Sequence, residues 1–176
     1  MKKGLPIVIL LILLAVLPLI GLSSYIMHIV VLVIIYSMIG MAWNLLGGYC
    51  GQVSFGHAAY FGVGAYTAGI LYSKLGSSPW WGLPFSIVVV TALSLIIGFI
   101  CLRLRGPYFA LGTLAMGEVL RVTAENLVKF TGGDVGIMIR ERTWVGKTWY
   151  YYIILLLAIG TFLLVKKVVE SKLGYY

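Results

Sequence analysis

The sequence predicts an all-α fold, a polytopic bundle of about six transmembrane helices. Three observations carry that prediction. Hydrophobic residues make up 61% of the 176 and charged residues 10%, against roughly 25% charged in a soluble domain; mean hydropathy is +1.05. Between Gly4 and Leu102 the sole formally charged residue is Lys74. The apolar sequence also falls into runs near the roughly 20 residues a helix needs to cross a hydrocarbon core about 30 Å thick. The net charge of +8 does not point to nucleic acid, because the basic residues sit singly or in pairs at the ends of apolar runs. A nucleic-acid surface would gather them into one patch with interleaved aromatics.

The first run, Met1 to Leu22, follows Lys2 and Lys3 and contains Pro18. A signal peptide with Gly21 or Ser23 near its cut would look similar, but a second apolar run begins almost at once, which favours a first span. Tyr25 to Leu46 is the second, with His28 as an interfacial residue near its start. Then comes the stretch around which the chain is organised, Asn44 to Tyr66, NLLGGYCGQVSFGHAAYFGVGAY. Gly47, Gly48 and Gly51 each weaken a helix by about 1 kcal/mol relative to Ala. Irregular backbone at membrane depth is tolerated where protein buries it or water wets it. A broken or re-entrant segment near 44–56 is therefore expected, followed by a helix starting near Ser54 that lines an interior path. Broken helices of this kind are where transporters place substrate sites.

His57 to Tyr72 is the third span. Ala58, Gly62, Ala65 and Gly69 recur at helical spacing and are expected to be its packing face, with Gly64 and Ala68 marking a second small face. Lys74 to Pro79 reads as a polar turn, and Trp80 and Trp81 as an interfacial aromatic belt. Gly82 to Leu102 is the plainest span and ends at Arg103 and Arg105. Pro107 suits the first turn of the next helix, Pro107 to Asn126, in which Glu118, Arg121 and Glu125 fall on one face. Glu118 lies about 16 Å along that helix from Pro107, near the middle of the membrane, so a buried charge network is expected there. Leu127 to Thr148, with its turn-like TGGDVG run, belongs in water or at the interface. Trp149 to Val165 is the last span, closed by Lys166, Lys167 and Lys172.

With the N-terminus inside, six alternating spans place Lys2, Lys3, Arg103, Arg105 and the terminal lysines on the cytoplasmic side, as the positive-inside rule prefers. The 127–148 loop dissents, since Lys129, Arg140, Arg142 and Lys147 would then lie outside, balanced in part by Asp134 and Glu141. Cys50 and Cys101 both fall within or beside apolar segments, without metal-ligand spacing nearby, and read as buried reduced thiols.

Two stretches resemble a known family, the permease subunits of branched-chain amino acid ABC importers, of the LivM type. The first is NLLGGYCGQVSFGHAAYFGVGAYTAG, Asn44 to Gly69; the second is LRLRGPYFALGTLAMGEVLRV, Leu102 to Val122, followed by TGGDVGI, Thr131 to Ile137. Gln52, Ser54, Gly56, His57, Glu118, Arg121, Gly132, Gly133 and Gly136 match the family pattern, and Tyr60 stands where the family often has Phe. The resemblance implies one permease domain over 1–176 in a prokaryotic cytoplasmic (inner) membrane, and the charge pattern adds that both termini are cytoplasmic. It also implies three kinds of protein partner: ABC ATPase subunits, a second homologous permease subunit and an extracytoplasmic amino-acid-binding protein. Members of the family continue beyond a segment like ESKLGYY into an ATPase-docking loop, so a C-terminal truncation at Tyr176 is expected.

For Asn44, Gln52, Ser54 and His57 the functional reading is the substrate pathway, Ser54 capping a helix N-terminus that would attract a carboxylate. The alternative is that these polar groups satisfy the broken backbone. For Glu118, Arg121 and Glu125 the readings are an ion-pair ladder that fixes the helix or a proton relay. No Walker A sequence occurs, so the chain is expected to be a non-enzymatic transport subunit without a cofactor of its own, ATP being used by a partner. The other class of function is an ion-coupled secondary transporter or channel in which Glu118 and His57 carry the coupling ion.

Overall fold

The computed structural model describes residues 13–21, 23–139 and 147–171. The described residues form helices joined by turns, without strands. The chain divides into two compact units, Met1–Leu45 with Arg142–Tyr176, and Leu46–Glu141.

In the first unit a helical stretch over 13–16 (α1) tightens into a 3-10 turn, Leu17–Ile20, and stops at Gly21 with φ 70°. Pro18 explains the tightening. Without an N–H it can donate neither the α-type bond to the Leu14 carbonyl nor the 3-10 bond to that of Ala15. Two tyrosines of α7 (Lys147–Glu170) take its place: Tyr151 donates its hydroxyl to Leu14 O at 2.6 Å, and Tyr152 donates to Ala15 O at 3.1 Å. Their rings meet edge to face with centroids 5.7 Å apart, and Tyr151 is fully buried. Around this join α2 (Ser24–Asn44) packs on α7 through Met27, Ile34, Tyr151 and Leu155. Half of the other apolar side chains of α2, Val33 and Tyr36 among them, remain exposed. Such all-round apolarity suits lipid or a larger protein interior.

The last residues of α2 run into a π-helical turn, Leu45–Tyr49, LLGGY. Gly51 at φ 64° ends it, and Gln52 N–H closes back on Leu46 O at 3.0 Å. That bond spans one residue more than the usual Schellman closure, as a π-wide last turn requires. The expected break is thus present, as a π turn followed by irregular chain over 50–56. Cys50 lies exposed on it, contrary to the buried thiol expected, whereas Cys101 is buried. A residue on a broken turn has no helix face to hide behind.

The second unit is built on α3 (His57–Leu75), α4 (Pro79–Cys101) and α5 (Pro107–Asn126). A Cβ on Gly82 would stand 3.2 Å from that of Ala68, one on Gly64 3.5 Å from Val90, and Ser86 donates to Gly64 O at 3.0 Å. These pairs run in opposite senses along α3 and α4. Gly56 faces Thr113 and Gly117 faces Ala59, so α3 and α5 run in the same sense. The three helices therefore alternate in direction, and Ile97, Cys101 and Phe109 form the core among them. The close packing uses the Gly64 and Ala68 face. Of the expected packing residues only Gly69 is buried, with Ile137 at 3.4 Å from its would-be Cβ; Ala58 and Ala65 are exposed and Gly62 has nothing within 4 Å. Both faces carry small residues at equal spacing, so spacing alone could not tell which one meets a neighbour.

The chain after α5 folds back through α6 (Val128–Thr131) and a 3-10 turn, Gly133–Val135. Buried Thr131 accepts from Gly133 N–H at 3.2 Å, with the carbonyls of Ala124 and Leu127 beside its hydroxyl. Lys74 donates to Lys129 O and lies over the Phe130 ring at 4.5 Å, which ties this loop to the end of α3.

Among the described residues three stretches are long and apolar enough to cross a membrane: Ser24–Tyr49, Trp80–Cys101 and Thr148–Glu170. α3 and α5, at 19 and 20 residues, have nearly the required length but a more polar composition. The first expected span lies largely outside the described residues.

Two outcomes follow from this packing. Tyr151→Phe strips Leu14 O of its donor and should cost about 1–2 kcal/mol; in a Pro18→Ala background, where residue 18 regains an N–H, the cost should drop below about 0.5 kcal/mol. Denaturant titration of the four proteins measures that coupling, and equal costs in both backgrounds would refute the substitution of hydroxyls for the missing amide. At Gly132, with φ 80°, a Cβ would sit 2.2 Å from Gly136 O, whereas at Gly51, φ 64°, it meets nothing within 4 Å. Gly132→Ala should therefore lose more than about 2 kcal/mol and Gly51→Ala about 1 kcal/mol, as read from thermal midpoints in detergent.

Candidate functional site

The irregular segment after the π turn is held by hydrogen bonds to its own side chains and to α5. Ser54 is buried and its Oγ accepts from Gly56 N–H at 3.3 Å. Phe55 N–H donates to Thr113 Oγ1 at 3.1 Å, and Thr113 passes its own proton to Ala110 O at 2.9 Å. Ser54 does not cap the following helix as expected: α3 begins at His57, its N-cap is Gly56, and no side chain bonds the cap. The hydroxyl is spent two residues earlier, closing the turn that leads into the helix.

Gln52, Ser54 and His57 thus share one short entry into α3. Gln52 and His57 are half-buried, and Gln52 Oε1 is buried without a hydrogen bond among the described residues. Asn44 is exposed at the last position of α2, in the first unit.

Beside this entry lies a groove of about 370 Å³ between α3 and α5. Its α3 side is Phe55, Ala58, Ala59, Gly62, Val63 and Tyr66; its α5 side runs from Leu114 through Gly117 to Glu125. The small residues make room: Gly62 has open space where a Cβ would be, and a Cβ on Gly117 would stand 3.7 Å from that of Ala59. Two of the four residues expected to pack α3 against a neighbour, Ala58 and Gly62, instead line a hollow.

One wall of the groove carries the three charges. Arg121 donates from Nε to Glu118 Oε2 at 2.9 Å and from one terminal nitrogen to the other Glu118 oxygen, a two-pronged pair. Its other terminal nitrogen bonds Glu125 Oε1. The spacing of three and four residues does bring all three together, but they are not buried here. Glu118 and Arg121 side chains are each 57% exposed and Glu125 37%. Helical periodicity places groups on a face without saying what covers that face.

Thr113, Gly117, Tyr66 and Ala124 contribute to the site without having been singled out in the sequence. The Gly117 and Ala124 pair, seven residues apart on α5, was the available signal for a second small-residue face. Thr113 gave none, because a single hydroxyl in an apolar helix ordinarily bonds its own backbone.

Comparison with known proteins agrees with this architecture. The family described as branched-chain amino acid transport system, permease component, matches residues 25–176. The high-affinity branched-chain amino acid transport system permease protein LivM of Escherichia coli (strain K12) is 36% identical over 106 residues, covering 60% of this chain and 25% of that protein. Its counterpart in Salmonella typhimurium (strain LT2) is 37% identical over 103 residues, 58% of this chain and 24% of that protein. The chain thus matches about a quarter of the length of these curated relatives. No solved structure gives a significant match. Taken with the three long apolar helices, the matches make this a multi-pass inner-membrane protein. The chain belongs to the family of branched-chain amino acid transport system permease components.

Proposed function

We propose that the chain is a membrane-embedded permease subunit of an ABC importer for branched-chain amino acids, with ATP hydrolysed on a separate subunit. The observation that carries the proposal is the π turn and irregular entry at 45–56, docked on Thr113 beside an open groove, within a chain whose family match runs over 25–176. A broken helix of this type exposes backbone and polar side chains along a path while remaining anchored in protein. Gln52, Ser54 and His57 stand at that entry, and we assign them to the pathway; Asn44 keeps that assignment on sequence grounds alone. The partners in this proposal are ABC ATPase subunits, a second permease subunit and an extracytoplasmic amino-acid-binding protein, with lipid around the apolar helix faces. The ion-coupled alternative is not favoured by the family match, nor by Glu118, which is held by a two-pronged arginine contact rather than poised alone.

The proposed topology has six spans with both termini cytoplasmic. It draws support from the alternating directions of α3, α4 and α5, which three consecutive spans require, and from Arg103 and Arg105 at the α4–α5 turn.

The importer reading is tested by uptake. Co-expressed with an ABC ATPase, a second permease and an amino-acid-binding protein, the chain should support ATP-dependent leucine uptake in cells lacking their own system. Purified alone, it should neither hydrolyse ATP nor accumulate leucine; proton-driven uptake by the chain alone would overturn the reading. For topology, single cysteines in a protein stripped of Cys50 and Cys101 should react with an external impermeant maleimide at Gly76 and stay unlabelled at Arg105 and Lys166. External labelling at Arg105 would exclude the six-span arrangement.

A further inference from the structure

We infer that the seam between the end of α3 and the start of α4 is a binding site for one anionic glycerophospholipid, whose acyl chain lies in an apolar groove and whose phosphate meets Lys74 and Lys129. The site is separate from the α3–α5 groove and rests on the membrane location of the chain, whatever solute it carries. Its apolar part is a second hollow of about 340 Å³, walled by Leu71 and Leu75 on one side and by Trp81, Pro84, Phe85 and Val88 on the other. Gly82 and Ala68 draw the two helices together, and the large side chains beside that contact stand up as walls. Ser77 supplies the one hydroxyl in the lining, and it is spent on Leu71 O at 2.9 Å. Most of the lining is thus left to hydrocarbon. From Trp81 to Val88 the groove follows α4 for about 10 Å, which seats part of one acyl chain.

Depth and charge make the occupant a lipid with an acidic head. Trp80 to Cys101 is one of the three stretches long and apolar enough to cross a membrane, and the groove occupies its first turns, where exposed Trp80 and Trp81 suit the boundary between head groups and chains. A hollow at that level opens to glycerol esters as well as to chains, and the indole N–H of Trp81 can donate to an ester carbonyl. Lys74 follows Leu71 by three residues and so flanks the groove on α3. Its ammonium donates to Lys129 O and lies 4.5 Å from the centre of the Phe130 ring. These contacts hold it in place and bring Lys129, also exposed, to the same end of the unit. Among the described residues neither lysine forms an ion pair; Glu125, near the same end, is taken by Arg121, which leaves Asp134 as the carboxylate of the loop. Two ammonium groups against one carboxylate give this end an excess of positive charge beside an apolar groove, the complement of a phosphodiester joined to acyl chains.

The test titrates the full chain, purified in detergent, with three probes: dioleoyl phosphatidylglycerol, dioleoyl phosphatidylcholine, which keeps the chains and has no net charge, and glycerol 3-phosphate, which keeps the phosphate and has no chains. Native mass spectrometry reads the bound fraction. Phosphatidylglycerol should bind at least about fivefold more tightly than phosphatidylcholine, and glycerol 3-phosphate should not be retained. Lys129→Gln, which leaves the backbone carbonyl that holds Lys74 in place, should weaken phosphatidylglycerol about fivefold, the fold-change equivalent to about 1 kcal/mol for a basic residue at an anionic surface. The same change should leave phosphatidylcholine untouched. Lys166→Gln, a charge removed elsewhere, should alter neither lipid. Val88→Trp, which fills the groove from an exposed position, should weaken both lipids at an unchanged thermal midpoint; if it disturbs the fold, Leu75→Gln, also exposed, sets a polar group in the same groove and should do the same. Equal binding of the two lipids would overturn the proposal, as would an equal loss in Lys166→Gln. Retention of glycerol 3-phosphate would make this a phosphate site without a lipid. Loss of a co-purifying second permease in Val88→Trp, with lipid binding intact, would make the groove a helix seat and overturn the proposal as well.

Discussion

Every irregularity in this chain is governed by the need to give each backbone N–H and C=O a partner where water is scarce. Pro18 removes a donor from α1, and the hydroxyls of Tyr151 and Tyr152 take up the carbonyls it would have served. The helix that ends in LLGGY does so through a π turn closed by Gln52 N–H on Leu46 O. Past that point Phe55 N–H finds Thr113, and Ser54 receives Gly56 N–H. The TGGDVG loop turns on Thr131 in the same way. The hydroxyl side chains are thus structural connectors, and their positions decide where the helices can break.

Breaks held in this manner leave open backbone near a hollow without loosening the helices around it. The α3–α4 contact is tight because Gly64, Ala68 and Gly82 admit close approach. The α3–α5 contact is closed at Gly56 and Gly117 and open at Gly62. One helix, α3, therefore serves as a packing element on one face and a groove wall on the other. That division fits the permease function proposed above.

The charged ladder on α5 shows how local and tertiary terms separate. Spacings of three and four residues fix that Glu118, Arg121 and Glu125 meet. Their exposure depends on which helix covers the face, and that is decided by packing outside the segment itself. The same holds for Cys50, whose apolar neighbours suggest burial while its position on a broken turn leaves it exposed.

Composition and run length were enough to determine an all-α membrane protein, because lipid offers the backbone no hydrogen-bond partner and, of the helices and closed barrels that satisfy the backbone internally, apolar runs near 20 residues fit helices rather than the shorter strands of a barrel. The order of helices from His57 onward, the bounds of Pro107–Asn126, the break near 44–56, the turn at TGGDVG and the meeting of the α5 charges were also legible, since glycine clusters, Pro107 and helical periodicity act over a few residues, whereas α4 begins three residues before the expected Gly82 and α7 ends five after Val165. Three things were decided by the tertiary structure alone: that the face bearing Gly64 and Ala68 packs on α4 while Ala58 and Gly62 open a groove, that Ser54 serves the turn instead of the helix cap, and that Thr113 and Tyr151 supply distant hydrogen bonds. Each is a choice between faces or partners of equal local merit. The choice falls to contacts between residues far apart in sequence, from Phe55 to Thr113 and from Leu14 to Tyr151, which no local pattern encodes.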